Sequence, residues 1–498
     1  MLADDSGYRI AICTGCVFAS LMSAIVQCRK NAMVHEVSRT PPQAVALPSI
    51  WAREQRPLTL GLLLVISGAA FESLAVATTL PAIIRELGGL NLYGWAFSAF
   101  MLANLLGITI AGAEADRDGP ARPLALGGSI FILGLLIVGL APAILVVIAG
   151  RAVQGFGAGM LSSVVYVSIG RGYPEALKPR MLAMTSTAWV VPGLVGPALA
   201  GIISDTVGWR WVFLGLIPLV LLGMLMAYPG LRHLANAHRA TRDWRTLGQA
   251  LALAAGVGMA LAALSTSNLV LASVLGIAGI AIAAPPLRQL VPAGTLRAKA
   301  GLPAAIATHG LLNLAFFGVD AFVPLAITNG RGQSATVAGL ALTAATICWT
   351  AGSWVQAHFA ARQSRRLVAS VGLALIGVGI VGSAAALSPA TPLMLALVAW
   401  GVAGLGMGLA FSTMSLVVLE TAPAGQEGAA SSALQLANTL GVALGAGLGG
   451  AIIGNAEQGG VSISGLVTHD LLMLGVTGLA LFVAQRLPAR QAADHVVH

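Results

Sequence analysis

Fourteen stretches of this chain are long and apolar enough to cross a bilayer as helices. They lie at 58–84, 93–113, 123–142, 143–170, 181–203, 211–231, 247–265, 268–287, 302–328, 336–360, 367–388, 392–418, 429–454 and 467–486. A hydrocarbon core about 30 Å thick takes about 20 helical residues. In lipid every backbone amide must find its partner within the segment, so a spanning run of this kind folds as a helix. The chain is 57% hydrophobic and only 9% charged, against about 25% charge in a soluble domain. The expected fold class is an all-α polytopic membrane protein, counted in spans rather than globular domains.

The net charge of +9 and pI near 10.0 could signal nucleic-acid binding. The basic residues, however, sit between apolar runs. With a cytoplasmic N-terminus, nineteen Lys and Arg from Arg53 onward fall in inside segments and three (Arg85, Arg210, Arg331) fall outside. That is a positive-inside pattern, and it supports the helix count, because one missed span would swap the side of every later loop. An even number of spans puts both termini in the cytoplasm. The exception is the inside loop after the twelfth run, which carries Glu420 and Glu427 and no basic residue. Arg outnumbers Lys 24 to 3, a bias that fits a GC-rich bacterial genome; the expected location is the cell (inner or plasma) membrane.

Cys13, Cys16 and Cys28 cluster in the first thirty residues, and Cys348 stands alone in a span. Cys13-x-x-Cys16 has no second pair and no nearby His, so no metal site is expected. The apolar run Ile10–Val26 is short for a span, and Asp4 and Asp5 flank it where a signal peptide needs positive charge. Residues 1–32 therefore read as a start-site artefact, with Met33 as the alternative start.

Glu72 is the informative residue. It interrupts LTLGLLLVISGAAFESLAVATTLPAII, which has no other charge before Arg85. An acid at the bilayer centre costs about 2.5–3.5 kcal/mol on insertion scales and usually marks an ion or substrate path. Proton uptake removes that cost, which makes Glu72 a candidate proton carrier. Arg151 and Gln154 interrupt the fourth run in the same way, and an Arg there requires a partner. In the ninth run His309, Asn313 and Asp320 are spaced i, i+4, i+11 and share one helical face. They read as a polar stripe facing a cavity, with Asp320 either a second titratable site or an interfacial acid. At 1.5 Å per residue, His309 and Asp320 are about 16 Å apart and cannot pair directly. Asn104, in the second run, is a further candidate cavity residue.

The chain also repeats itself at an offset of 249. Gly155, Gly157 and Gly159 map onto Gly404, Gly406 and Gly408; Pro174 maps onto Pro423; Gly196 and Gly201 map onto Gly445 and Gly450. Parallel repeats with a midplane site between them are a common construction of secondary transporters. The fourth and twelfth runs become equivalent, so the seventh and eighth are an insertion between two sets of six. Glu72 then falls one residue from register with Asp320. Gly441, Gly445 and Gly449, spaced i, i+4, i+8, point to close helix packing.

Four motifs resemble those of the major facilitator superfamily, and within it the fourteen-helix drug:proton antiporters. The loop GAEADRDGPAR, Gly112 to Arg122, resembles G-x-x-x-D-R-x-G-R-R, with Pro120 and Ala121 where two basic residues are usual. GRAVQGFGAG, carrying Arg151, Gln154 and Gly155, resembles R-x-x-Q-G-x-G. VPGLVGPALAG, with Pro192, Gly193, Gly196, Pro197 and Gly201, stands just before GWRWVF and resembles the antiporter motif. FESLAVATTLP resembles L-D-x-T-x-x-N-x-A-L-P, with Glu72 at the acidic place and Thr and Asn absent from theirs. The resemblance covers 57–487 and is strongest over 68–218. It implies a major facilitator fold, two six-helix bundles plus two inserted helices. The expected division is a cytoplasmic segment 1–56, an N-terminal bundle 57–231, a linker with inserted helices 232–300, a C-terminal bundle 301–487 and a tail 488–498.

The resemblance also implies roles. Glu72 and Arg151 would couple to protons, joined by Asp320 if the polar stripe of the ninth run titrates. Gly112, Asp116, Arg117, Gly119 and Arg122 would form a conformational latch against the opposite half, with Gly112 allowing close helix approach and Gly119 a tight turn. The fifth-run motif would belong to export by antiport. The expected function is a proton-coupled exporter of small apolar or cationic compounds. The alternatives are a transporter of one metabolite or lipid and, more distantly, a membrane enzyme or receptor on a transporter fold. An enzyme would cluster its polar residues near one interface, whereas here they are spread over several helices. No G-x-x-x-x-G-K-[ST] is present, which argues against an ATP-driven pump. The expected partners are a small-molecule substrate and the bilayer, with no nucleic acid, no cofactor besides the proton, and a monomeric working unit.

Overall fold

The computed structural model describes residues 50–174, 177–234, 244–359, 363–423, 426–455 and 463–488. The N-terminal cysteines, the choice between Met1 and Met33, residues 235–243 of the linker and most of the tail lie outside them, as does the side chain of Asp116.

Fourteen helices long and apolar enough to span a membrane are found among the described residues, matching the fourteen apolar runs. They are α1 Arg56–Leu87, α2 Trp95–Asp118, α3 Ala121–Gly139, α4 Ile144–Gly172, α5 Lys178–Thr206, α6 Arg210–Leu231, α7 Trp244–Leu264, α8 Leu269–Leu290, α9 Leu302–Gly330, α10 Ala335–Phe359, α11 Arg365–Ala385, α12 Met394–Thr421, α13 Glu427–Asn455 and α14 Ile463–Ala484. Ends are fixed by local chemistry. Asn268 Oδ1 accepts from the N–H groups of Val270 and Leu271 at 3.1 Å to start α8, satisfying donors that the helix leaves free. Gly119, at φ +86°, turns the chain between α2 and α3, a conformation that suits glycine.

The halves pack by the same plan. In the N-terminal half α1 packs on α5 and α6, and α4 on α2 and α3; in the C-terminal half α9 packs on α13 and α14, and α12 on α10 and α11. Glycines make these contacts because lipid supplies little hydrophobic drive between helices, so close backbone approach must hold them. The repeat is visible atom by atom. A Cβ on Gly157 would meet Phe131 N and Gly127 O, and one on Gly406 would meet Ile376 N and Gly372 O. Gly155 lies on the Phe100 backbone and Gly404 on that of Ala345; Gly159 lies on Asn104 and Gly408 on Trp349. The offset is therefore 249 for α4 to α12 and 245 for α2 to α10 and α3 to α11, a four-residue difference taken up in the connections. Gly441 packs on Gly310 O and Gly445 on Leu314 O and Gly318, the close contacts expected of their spacing.

The halves are joined at the face carrying the α1–α2 and α9–α10 turns, called here the turn face; the opposite face carries the start of α1 at Arg56 and the end of α14 at Ala484. Gly94 packs on Ala446 and Gly450, and Gly339 on Pro197 and Ala198. Ser98 Oγ donates to Ala443 O at 2.7 Å. Asp205 accepts from the N–H groups of Ala335 and Thr336 and from Thr336 Oγ1, at 3.2, 2.8 and 2.6 Å. Tyr93 Oη donates to Ala321 O at 2.9 Å. That carbonyl lies where α9 breaks after Asp320. Pro324 has no N–H to return to the Asp320 carbonyl, which favours the break.

Candidate functional site

Glu72 sits at the middle of α1, buried, and its carboxylate Oε1 accepts from Arg151 Nη1 of α4. Arg151 is also buried and has three further supports. Its Nε donates to Ala96 O of α2 at 3.0 Å, its Nη1 donates to Gln154 Oε1 at 3.0 Å, and its guanidinium carbon lies 4.2 Å from the centre of the Phe100 ring. The fork geometry of Arg suits it to several acceptors at once, and the ring face adds a cation–π contact. Gly134 of α3 makes room for Gln154, since a Cβ there would stand 2.5 Å from Gln154 Cγ. One cluster thus joins α1, α2 and α4. Glu72 Oε2 and Gln154 Nε2 have no hydrogen-bond partner among the described residues.

The C-terminal half holds a different arrangement at the related place. Trp400 of α12 donates Nε1–H to Asp320 Oδ1 at 2.8 Å. Phe316 stacks on Trp400 with centroids 5.1 Å apart. Trp349 stands edge-on to Phe316 at 5.7 Å, and Phe411 follows at 5.5 Å, then His309 at 4.7 Å. One half presents an ion pair; the other presents an acid on an aromatic wall. Asp320 is half-buried and lies next to the Tyr93–Ala321 contact of the turn-face seal.

The other sequence candidates divide. His309 and Asn313 are buried and do not line a cavity, which corrects the expected open polar stripe. Their shared face exists, but it is packed: His309 lies against Phe411, while Asn313 meets Gly441 of α13 and donates to His309 O at 2.7 Å. Asn104 donates to Gly155 O at 3.3 Å. In the α2–α3 loop Arg122 pairs with Asp118 at 2.8 Å and Arg117 approaches Asp118 at 3.8 Å. These contacts stay within the N-terminal half, and Asp118, not singled out from the sequence, is their centre. Gly112 does not serve a close approach: the nearest atom to a Cβ there is Ser163 Oγ at 3.6 Å. The close α2–α4 approach is made by Gly107, whose Cβ would strike Phe156 O. Gly193 packs on Thr346 of α10, Gly196 on Phe71 of α1 and Gly201 on Ala335, so this motif joins α5 to both neighbours. Pro192 and Pro197 are accommodated inside a continuous α5. Glu420, the puzzling acid of the twelfth loop, binds Arg365 at 2.7 Å.

Sequence reasoning passed over three features. Trp400 carried no sequence signal beyond the repeat, which maps it onto Arg151. Tyr93 stands two residues before α2 and looks like an ordinary interfacial aromatic. His469 and Asp470, by contrast, interrupt the fourteenth apolar run as plainly as Glu72 does the first. Both are buried, with His469 Nδ1 3.7 Å from Asp470 Oδ1 and its ring 5.1 Å from Phe322, itself 5.0 Å from Tyr93.

A family model described as Major Facilitator Superfamily matches residues 60–249. The "Probable multidrug-efflux transporter Rv1634" of Mycobacterium tuberculosis is 26% identical over 453 residues, 86% of this chain and 94% of that protein. Multidrug resistance protein 3 of Bacillus subtilis is 25% identical over 78% of this chain and 77% of its own length. The methylenomycin A resistance protein of Streptomyces coelicolor is 26% identical over 80% and 86%. Among solved structures, a bacterial homologue of the human lysosomal transporter Spinster, inward-facing and unoccupied, aligns with TM-score 0.63 at 13% identity, covering 87% of this chain and 98% of that one. A POT family transporter bound to 5-aminolevulinic acid aligns with TM-score 0.61 at 15% identity over 87% and 97%. These last two share the fold.

Proposed function

The chain belongs to the major facilitator superfamily, and from that premise we propose that it is a proton-coupled exporter of small apolar or cationic compounds working by alternating access. It is a membrane-spanning transporter whose relatives include proteins named for multidrug efflux and drug resistance, so its partners are a small-molecule substrate and the bilayer. The coupling ion, the substrate class and the direction are the proposal.

One observation carries it: a buried mid-span carboxylate, Glu72, held by Arg151 through one oxygen while the other has no partner among the described residues. Protonation of Glu72 removes its charge and leaves Arg151 only a neutral carbonyl oxygen, a weaker hold. The guanidinium keeps Ala96 O, Gln154 Oε1 and the Phe100 ring, which makes the unpaired state tolerable. A proton therefore weakens the tie between α1 and α4 without stranding a bare cation. A ligand acts on the two-state equilibrium only through such a difference between states. Asp320 is the second acid of the scheme, weaker in its hold because Trp400 gives it one neutral donor.

Positive-inside bias assigns the face with the start of α1 and the end of α14 to the cytoplasm and the turn face to the outside. The joined turn face then corresponds to an inward-facing state, in which an exporter loads substrate and has released its proton. The potential adds about 2.3 kcal/mol per charge per 100 mV. The loop from Gly112 to Arg122, with Asp116, serves the opposite, outward-facing state as a latch. The protein works as a monomer, without cofactor or nucleic acid.

The test is transport in inverted membrane vesicles across a panel of apolar and cationic dyes. Accumulation driven by an imposed pH gradient and abolished by a protonophore is expected. Accumulation that persists without any gradient, or that requires ATP, would overturn the proposal.

A further inference from the structure

The inserted helices break the symmetry of the molecule at one particular place. The repeat gives two equivalent seams between the halves, α2 against α13 and α10 against α5. Their closures at the turn face correspond, Gly94 on Ala446 and Gly450, Gly339 on Pro197 and Ala198. Away from that face the seams differ. Along α2–α13, α7 lays Leu253, Val257 and Leu261 across Leu102 of α2 and Leu436 and Leu440 of α13, one apolar cluster spanning both halves. Leu102 is 7% exposed and Leu440 8%, whereas their repeat partners Ile347 and Val191 are 49% and 56% exposed. Thr439 is 1% exposed, and its partner Val190 is 37% exposed. Val190 lies three residues from Gly193, on the face of α5 that meets α10 at Thr346. So the outer edge of α5 beside that contact has no helix laid over it, unlike its counterpart on α13.

Hiding leucines from water cannot explain the hairpin, because in a bilayer these positions would face lipid, where apolar side chains are already at ease. What α7 does is keep lipid, and anything dissolved in it, out of one seam. α8 stands outside α7 and presents Val274, Ile277 and Ile280 outward. We infer that the α7–α8 hairpin closes the α2–α13 seam, and that the α5–α10 seam is the lateral route by which an apolar or amphiphilic substrate dissolved in the bilayer reaches the space between the halves. The inference rests on the export reading for its substrate. The route leads to Trp349 of α10 and Phe411 of α12, half-buried rings 5.5 Å apart.

The test uses a long-chain alkylamine carrying a diazirine, dissolved in the bilayer of proteoliposomes and photolysed, with adducts mapped on Trp349 and Phe411. The native protein is expected to be labelled there. Val190→Trp combined with Ile347→Trp, both at exposed positions, narrows the seam and should cut that labelling at least tenfold. Leu133→Trp, exposed on α3 away from both seams, should leave it within twofold. No labelling of the native protein, unchanged labelling in the double variant, or equal loss in the control would overturn the route. Should the double variant fail to fold, bimane on Val190→Cys and on Thr439→Cys in a cysteine-free background gives a second reading. Quenching by brominated lipid is expected at 190 and not at 439; equal quenching at both overturns the seal. Loss of gradient-driven transport with labelling and quenching intact would sink the export reading and leave the route standing.

Discussion

Arg151 and Trp400 are repeat partners, 249 residues apart, and each holds an acid: Arg151 binds Glu72 and Trp400 binds Asp320. The two halves have kept the place and changed the chemistry. In one the acid faces a cation, in the other a neutral indole donor.

The pair in the N-terminal half should behave as a unit. Removing one partner of a buried pair costs about 3–5 kcal/mol, because the other charge is left uncompensated. Arg151→Gln should lower the thermal unfolding temperature in detergent, and the double variant Glu72→Gln with Arg151→Gln should regain at least half of the loss. Double-variant stability equal to or below that of Arg151→Gln would show that the two residues do not act together.

Asp320 tests the second acid. Asparagine keeps an oxygen for the Trp400 indole, so Asp320→Asn should unfold at nearly the native temperature. If Asp320 exchanges a proton, the variant should move fewer protons per substrate in a flux-ratio measurement. An unchanged ratio would make Asp320 a structural acceptor of the turn-face seal.

The seal itself is open to measurement. Tyr93→Phe removes the hydrogen bond to Ala321 O and nothing else. A typical net value of about 1 kcal/mol corresponds to about a fivefold shift toward the state with the turn face open. Spin-label distances across that face, between α2 and α10, should show the longer population grow. Gly450→Ala should push the same way, since its Cβ would stand 2.7 Å from Gly94.

Two glycines of α2 should part company. Gly107→Ala drives a methyl group into Phe156 O and should cost about 1–3 kcal/mol through overpacking. Gly112→Ala has only Ser163 Oγ at 3.6 Å to meet and should be neutral or stabilising, since alanine is favoured over glycine within helices by about 1 kcal/mol. Unfolding temperatures of the two variants, with cell-surface expression as a check, decide it.

The helices were legible because a bilayer leaves an apolar run of 20 residues one way to fold, and Glu72, Arg151 and Asp320 were legible because a charge in such a run is rare. Their partners were not. Glu72 and Arg151 are 79 residues apart, and nothing local says that α1 and α4 meet there. His309 and Asn313 misled for the complementary reason: periodicity gives a shared face but not its neighbour, and here the neighbours are Phe411 and Gly441. Gly112 was credited with a contact that Gly107 makes, because a motif marks a position while the helix crossing decides which glycine is used. The place of α7 depends on Leu102 and Leu440, from two distant helices, and could be seen only in three dimensions.

Proton release on substrate addition tests the central claim most directly. In proteoliposomes with an internal pH dye, a transported panel compound should produce a pH change in the native protein. Glu72→Gln, which keeps an oxygen for Arg151, should bind the compound with the same affinity and move no proton. Native proton movement in a folded, membrane-inserted Glu72→Gln variant would contradict the account.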